Sequence, residues 1–231
     1  RILEVGAGTG GTTAHILPLL PADNTDYIYT DISTGFFDKA EERFKDYSFV
    51  QYQTLNLEQS AQEQGFAPRQ YDLIIGANVL HESEDLQVAL DNINNLTVNG
   101  GLLLLLEGTQ RSLFADLTFG LLDGWWRFKD NALRMDYPLL NQDKWQEVLG
   151  QCGWSDFVVI GDDKSQSQAV MLSRLDSNKN IVLNDNPQKW LFLSDDMELS
   201  ISLKTRIESF GNKVITVGVG ESYTKIKEDE Y

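Results

Sequence analysis

Residues 1–11 read RILEVGAGTGG, and this stretch decides how the chain is read. An apolar run, Ile2 to Val5, leads into a glycine-rich turn with helix-forming residues behind it. Glycine tolerates the sharp strand-to-helix reversal and lets backbone approach a ligand closely. The helix start that follows offers free N–H groups and the positive end of a dipole. Two spacings overlap. Gly6, Gly8 and Gly11 satisfy G-x-G-x-x-G, the fingerprint of a dinucleotide site. Glu4, Gly6, Gly8 and Gly10 satisfy E-x-G-x-G-x-G, the pattern of S-adenosylmethionine (SAM) enzymes. The plainer reading is a turn that only packs a helix on a strand.

Neighbouring residues weigh towards SAM. Glu4 is an acid in an apolar strand, and a buried acid needs a partner. A cationic ligand or the loop N–H groups supply one, whereas a pyrophosphate would repel it. Asp31 ends the second apolar run, where a carboxylate accepts bonds from ribose hydroxyls of either cofactor; its plain alternative is a helix cap. Asn56 and Leu57, in the LNLE that follows the third run, are placed beside an adenine ring. Asn78, in the loop after the fourth run, is counted with them as cofactor-binding.

Strand and helix patterns alternate onward from the glycine turn, which predicts an α/β fold with a mainly parallel sheet. ILEVGA, DYIYTDI, FVQYQTL, YDLIIGANVL and LLLLLEG read as five strands. Helices are expected at residues 12–20, from Ser33 to about Lys45, over 84–97 with NGG as its left-handed cap, and over 141–152. SDFVVIGD and QAVMLSR read as a terminal antiparallel hairpin. Residues 110–140 are irregular and aromatic, and an insertion of that length usually carries function. Residues 174–188 are polar and read as a linker. From Lys189 a strand–helix–strand pattern restarts, with the helix over 197–210.

His81 follows the fourth strand and Glu107 ends the fifth, so both side chains reach the carboxyl edge of the sheet, where open α/β folds hold ligands. A neutral imidazole acts as general base near pH 7, and a carboxylate on its other nitrogen fixes the tautomer. Carbon methylation needs such a base. The bland alternatives are a helix-capping histidine and a solvated strand end. His15 is read as structural. Two histidines and a single cysteine, Cys152, are too scattered for a metal site. One cysteine allows no internal disulfide and fits a cytoplasmic setting. A net charge of −16 in 231 residues argues against nucleic acid as a partner. GLLLLLEG is far shorter than a membrane span. The chain starts on its first strand, so it is expected to be a piece of a larger protein.

LEVGAGTGGTTAHILPLLP, YTDIS followed by FF, YDLIIGANVLHES, GGLLLLLEGT and DLTFGLLDGWWRF resemble the C-methyltransferase domains of modular polyketide synthases. The resemblance implies a Rossmann-like class I SAM-dependent methyltransferase over residues 1–173, with a seven-stranded, mainly parallel sheet and a C-terminal antiparallel hairpin. Residues 189–231 resemble the start of a ketoreductase structural subdomain. The reaction implied is methylation of the α-carbon of a β-ketoacyl thioester, held by phosphopantetheine on an acyl carrier protein among neighbouring synthase domains, with S-adenosylhomocysteine as coproduct. The family's His–Glu dyad falls on His81 and Glu107, its SAM loop on Glu4, Gly6, Gly8 and Gly10, and its ribose acid on Asp31. Asn56 departs from the expected Asp. The helical lid with which such domains begin is not in this sequence. Trp125, Trp126, Phe128 and Tyr137 either wall the substrate cleft or belong to the core. Arg127, Lys129 and Arg134 either meet the carrier or are solvated surface. The alternatives are a free-standing O- or N-methyltransferase acting on a small molecule, and a non-catalytic methyltransferase-like spacer.

Overall fold

The computed structural model describes residues 1–161, 167–176, 189–193 and 213–217, with 204 and 208. The chain divides into two compact units, Arg1–Asn180 and Ile181–Tyr231. In the first, strands β1 (Ile2–Val5), β2 (Tyr27–Asp31), β3 (Val50–Thr54), β4 (Tyr71–Ala77), β5 (Thr97–Gly108), β6 (Trp154–Ile160) and β7 (Gln168–Leu175) form one sheet in the order β3-β2-β1-β4-β5-β7-β6. The first five run parallel to one another; β7 runs antiparallel to both β5 and β6. This is the class I methyltransferase fold, seven strands with an antiparallel end. The order reverses direction at β1, so a crevice opens between β1 and β4 at their carboxyl ends.

Alternation along each strand sorts side chains to two faces. Leu3, Val5, Ile28 and Ile74 join one core, covered by the helices α3 (Leu86–Leu96) and α5 (Gln142–Gln151); the short α4 (Leu113–Thr118) falls between them in sequence. Tyr27 and Tyr29 join the other with Leu17, Ala40 and Phe44, beneath α1 (Thr13–Ile16) and α2 (Phe37–Arg43). The α3 helix buries Leu86, Ala89, Leu90 and Ile93, a stripe at helical spacing, and its cap Asp85 accepts from the N–H groups of Gln87 and Val88. In α5, Asn141 caps and Trp145, Val148 and Leu149 are buried.

Three expectations need correction. The first helix is a single α-turn followed by a 3₁₀ turn over Leu17–Leu19, because Pro18 interrupts the bonding of a longer helix. NGG does not cap α3. That helix ends at Leu96, where Thr97 turns extended and its hydroxyl donates to the Ile93 carbonyl, 2.7 Å away. Gly100, at φ 77°, instead sits in a kink within β5, where the register with β4 slips between Tyr71 and Leu73. The hairpin strand β7 runs on to Leu175, one residue past the expected QAVMLSR.

In the second unit, β8 (Lys189–Leu193) and β9 (Lys213–Val217) pair in parallel. The linker beyond Asp176 and most of the 197–210 helix lie outside the described residues. Among the described residues, no helix is long and apolar enough to cross a membrane.

The two overlapping glycine spacings are resolved by backbone shape. Gly6, Gly8 and Gly10 have φ of 60°, 57° and 73°. A Cβ on Gly10 would also lie 2.6 Å from the Phe44 ring. Gly11 has an ordinary backbone and nothing within 4 Å of an added Cβ. The turn therefore requires the 6-8-10 spacing and not the 6-8-11 one. Gly10→Ala is expected to cost about 2 kcal/mol, seen in thermal melting as a Tm drop of roughly 5 °C. Gly11→Ala should stay within about 0.5 kcal/mol of the parent; equal losses at both positions would reject this reading.

Candidate active site

Glu4 packs against the other elements and not on the cavity wall. It is 1% exposed. Its Oε2 accepts from the Thr13 hydroxyl at 2.6 Å and the Tyr27 hydroxyl at 2.7 Å, which ties β1 to α1 and to β2. Burial raises its pKa, against the two hydrogen bonds. The hydrogen bonds this buried acid makes within the protein thus come from hydroxyls and not from the loop N–H groups. Gly10 likewise shapes the turn while Gly6 and Gly8 line the cavity.

That cavity has a volume of about 410 Å³ and lies over the carboxyl ends of β1 and β2. Gly6, Gly8, Asp31, Asn56, Leu57 and Asn78 all line it, so six of the eight expected cofactor residues come together. Asp31 accepts from Gly8 N–H at 3.0 Å through Oδ2 and from Ser33 N–H at 2.9 Å through Oδ1. It is no helix cap: Ser33 takes that place, accepting from Gly35 N–H. Asn56 accepts from Glu58 N–H at 2.9 Å, so its carbonyl oxygen holds the loop and its NH₂ group remains to face a ligand. A glycine turn with three left-handed residues, an acid at the end of β2 and an apolar floor at Leu57 fit the carboxylate, ribose and base of SAM.

A second cavity, about 500 Å³, adjoins the first. Asn78 and Glu82 line both. Its wall is mixed: Phe114, Ala115, Phe119, Trp125 and Leu139 stand among the polar groups of Gln110, Ser112, Ser167 and Gln168. Such a lining suits an apolar chain with a polar end. Asn78 adopts φ 52°, which Asn tolerates. Its N–H donates to the Leu106 carbonyl at 2.7 Å, and its Oδ1 accepts from Gln168 at 3.1 Å.

His81 reaches this second cavity. Its Nδ1 lies 2.7 Å from Glu107 Oε2. Glu107 is fully buried, and its Oε1 accepts from the N–H groups of Val79 at 3.0 Å and Leu80 at 2.8 Å. The Trp125 ring meets the imidazole edge-on at 5.4 Å between centroids. With Nδ1 committed to Glu107, Nε2 is the nitrogen left for chemistry. Burial pulls the His81 pKa down, but the hydrogen bond and charge of Glu107 outweigh it, with Glu82 adding in the same direction, and the net shift is upward.

Several residues escaped the sequence reading. Glu82 lines both cavities, with its pKa raised chiefly by desolvation. Only its place beside His81 hinted at this. The basic cluster splits: Arg127 and Lys129 are exposed and paired with acids, as on a solvated surface, whereas Arg134 is buried. Arg127 pairs with Glu58, Lys129 with Glu84, and Arg134 with Asp130 at 2.6 Å. Arg134 is 1% exposed. Of the insertion aromatics, Trp125 walls the second cavity, Tyr137 is buried and donates to Asp116, Phe128 lies under the Arg134 guanidinium, and Trp126 is half-exposed. His15 is exposed on α1. Burial pushes the Cys152 thiol up to about 11, which removes it as a nucleophile. Among the described residues, no group of His, Cys, Asp and Glu has the arrangement of a metal site.

Comparison with known proteins agrees with this geometry. A family described as "Methyltransferase domain" matches residues 3–103. The polyketide synthase ThaG of Burkholderia thailandensis is 43% identical over 161 residues, covering 68% of this chain and 3% of the synthase. The crystal structure of the CurJ carbon methyltransferase superposes with a TM-score of 0.74 at 46% identity, over 77% of this chain and 48% of that one. The trans-methyltransferase CalH, solved in complex with S-adenosylhomocysteine, gives 0.70 at 37% identity, over 76% of this chain and 51% of CalH. The chain thus spans a few percent of the synthase and about half of each solved methyltransferase. Its first unit is a SAM-dependent methyltransferase domain, and the chain belongs with the C-methyltransferases of polyketide synthases.

Proposed function

We propose that the domain methylates the α-carbon of a β-ketoacyl thioester delivered by an acyl carrier protein, with His81 as general base and Glu107 as its partner. The observation that carries this reading is the 2.7 Å His81–Glu107 contact on the wall of a partly aromatic cavity adjoining the cofactor cavity. The cofactor, when bound, supplies a methyl already activated by its sulfonium. The carbon that receives it carries hydrogen and needs a base, whereas an alcohol or amine acceptor needs less help. The hydrogen-bonded dyad thereby favours carbon over oxygen or nitrogen.

His81 Nε2 takes the α-proton, which two flanking carbonyls acidify. Glu107 holds the other ring nitrogen, fixes the tautomer and stabilises the imidazolium that forms. Two backbone N–H bonds keep the Glu107 carboxylate in place while this happens. With cofactor bound, Asp31 would hold the ribose hydroxyls, and Asn56 and Leu57 would hold the adenine. Residues 189–231, on this reading, begin a ketoreductase-like structural unit, and the neighbours of the domain are other synthase domains.

His81→Ala should lower methylation of a short β-ketoacyl thioester by about 10²–10⁴-fold and leave S-adenosylhomocysteine affinity within threefold by calorimetry. Methylation at the parent rate would reject the base. Asp31→Ala should instead weaken cofactor binding tenfold or more.

The pH profile gives a second check. The base works only when neutral, and its pKa is raised above the ordinary 6.5. Activity should therefore rise with pH through an inflection above 6.5 and be lost as pH falls below it. Glu107→Gln removes the charge that raises this pKa and leaves burial to dominate. Its acid limb should move to lower pH while the plateau rate falls. An acid limb that stays in place would detach Glu107 from the titrating group.

A further inference from the structure

The segment Lys129–Arg134 is bonded along its length to the turn that carries His81. Lys129 N–H donates to the Glu84 carbonyl at 2.7 Å. Asp130 Oδ2 accepts from Leu86 N–H at 3.1 Å, at the start of α3. Arg134 Nη1 donates to the carbonyl of His81 itself at 2.9 Å, and Nη2 to the Ser83 carbonyl at 2.7 Å. Its Nε and Nη2 hold the two oxygens of Asp130 at 2.6 and 2.8 Å. The guanidinium lies over the Phe128 ring at 5.2 Å.

A buried guanidinium carries a large desolvation cost, and an apolar residue often packs as stably in its place. What an apolar residue lacks is direction. The fork of five donors reaches a carboxylate on one side and two carbonyls on the other, which a lysine ammonium on its flexible stem does not reproduce. The same insertion supplies Trp125, which meets the imidazole edge-on. His81 is therefore held at Nδ1 by Glu107, at its ring by Trp125 and at its backbone by Arg134. Glu82 faces it with a further charge.

We propose that Arg134 and Asp130 are positioning residues for His81: a buried ion pair that fixes the backbone of the base and sets the aromatic wall of the second cavity in register with it. The catalytic consequence rests on His81 being the base; the positional one does not.

The test uses the intact chain with His15→Gln, which leaves His81 as the one histidine. The paired variant Arg134→Met/Asp130→Leu removes both charges, so that neither is buried alone. Imidazole ¹H–¹⁵N spectra follow the Nδ1 proton that Glu107 holds. The paired variant is expected to keep its circular dichroism and to bind S-adenosylhomocysteine within threefold of the parent. Its His81 Nδ1 proton signal should move upfield or broaden into exchange. The kcat for a short β-ketoacyl thioester should drop 10- to 100-fold, with KM changing less than threefold. Arg134→Lys should show the same losses, since charge without the fork does not restore the bonds. A folded paired variant with an unchanged imidazole signal and kcat within twofold of the parent overturns the proposal. If the paired variant does not fold, Asp130→Asn decides. It keeps an acceptor for Leu86 N–H and loses the two-oxygen grip on Arg134, and an unchanged imidazole signal there also overturns the proposal. If His81→Ala methylates normally, the base assignment fails, while the imidazole spectrum still reports whether the ion pair positions the ring.

Discussion

The Glu107 carboxylate is the group on which the rest of the site depends. It sits at the end of a central strand, flanked by β4 and β7 and fully buried. A carboxylate in such a place is costly unless each oxygen is satisfied. Here Oε1 takes two backbone N–H groups from Val79 and Leu80, and Oε2 takes the imidazole. The requirement to satisfy one charge thus folds the turn after β4 and fixes His81 in the same act. On the proposed mechanism, stability and chemistry share these three bonds.

That turn also separates the two cavities. Asn78 begins it in a left-handed conformation and touches both spaces, and Glu82 does so from its other end. Val79 lies against Gly6, where an added Cβ would come 2.2 Å from its Cγ2. The glycine loop and the base turn are therefore packed on each other. A shift in either is felt by the other, because well-packed interiors transmit strain. The 127–134 segment closes the arrangement from outside, with Arg127 on Glu58 at the cofactor cavity and Arg134 under the base turn.

Most of the sheet was legible because buried strands repeat with a period of two and glycine turns punctuate them. The meeting of His81 and Glu107 was legible too, since an acid after five leucines in LLLLLEG has few reasons to be there without a partner. Other features depend on contacts that no local pattern encodes. Glu4 pointed to a ligand or the loop N–H groups, and neither announced its hydrogen bonds to the hydroxyls of Thr13 and Tyr27, on two other elements. NGG suggested a helix cap because glycine after a helix usually is one, but Thr97 had already ended α3. Arg134 looked like surface because arginines usually are. Its burial follows from the whole insertion folding back on residues 81–86, and nothing periodic in NALRMDYP announces it.

The central claim is that Glu107 and His81 together draw a proton from carbon. The most direct measurement is deuterium uptake from D₂O at the α-carbon of a short β-ketoacyl thioester. It is followed by mass spectrometry with S-adenosylhomocysteine present and no methyl donor, so that proton removal is seen apart from transfer. The account predicts uptake well above the uncatalysed background for the parent, and a loss of about tenfold or more in Glu107→Gln. Uptake at the background rate in the parent, or equal rates in the two proteins, would contradict it.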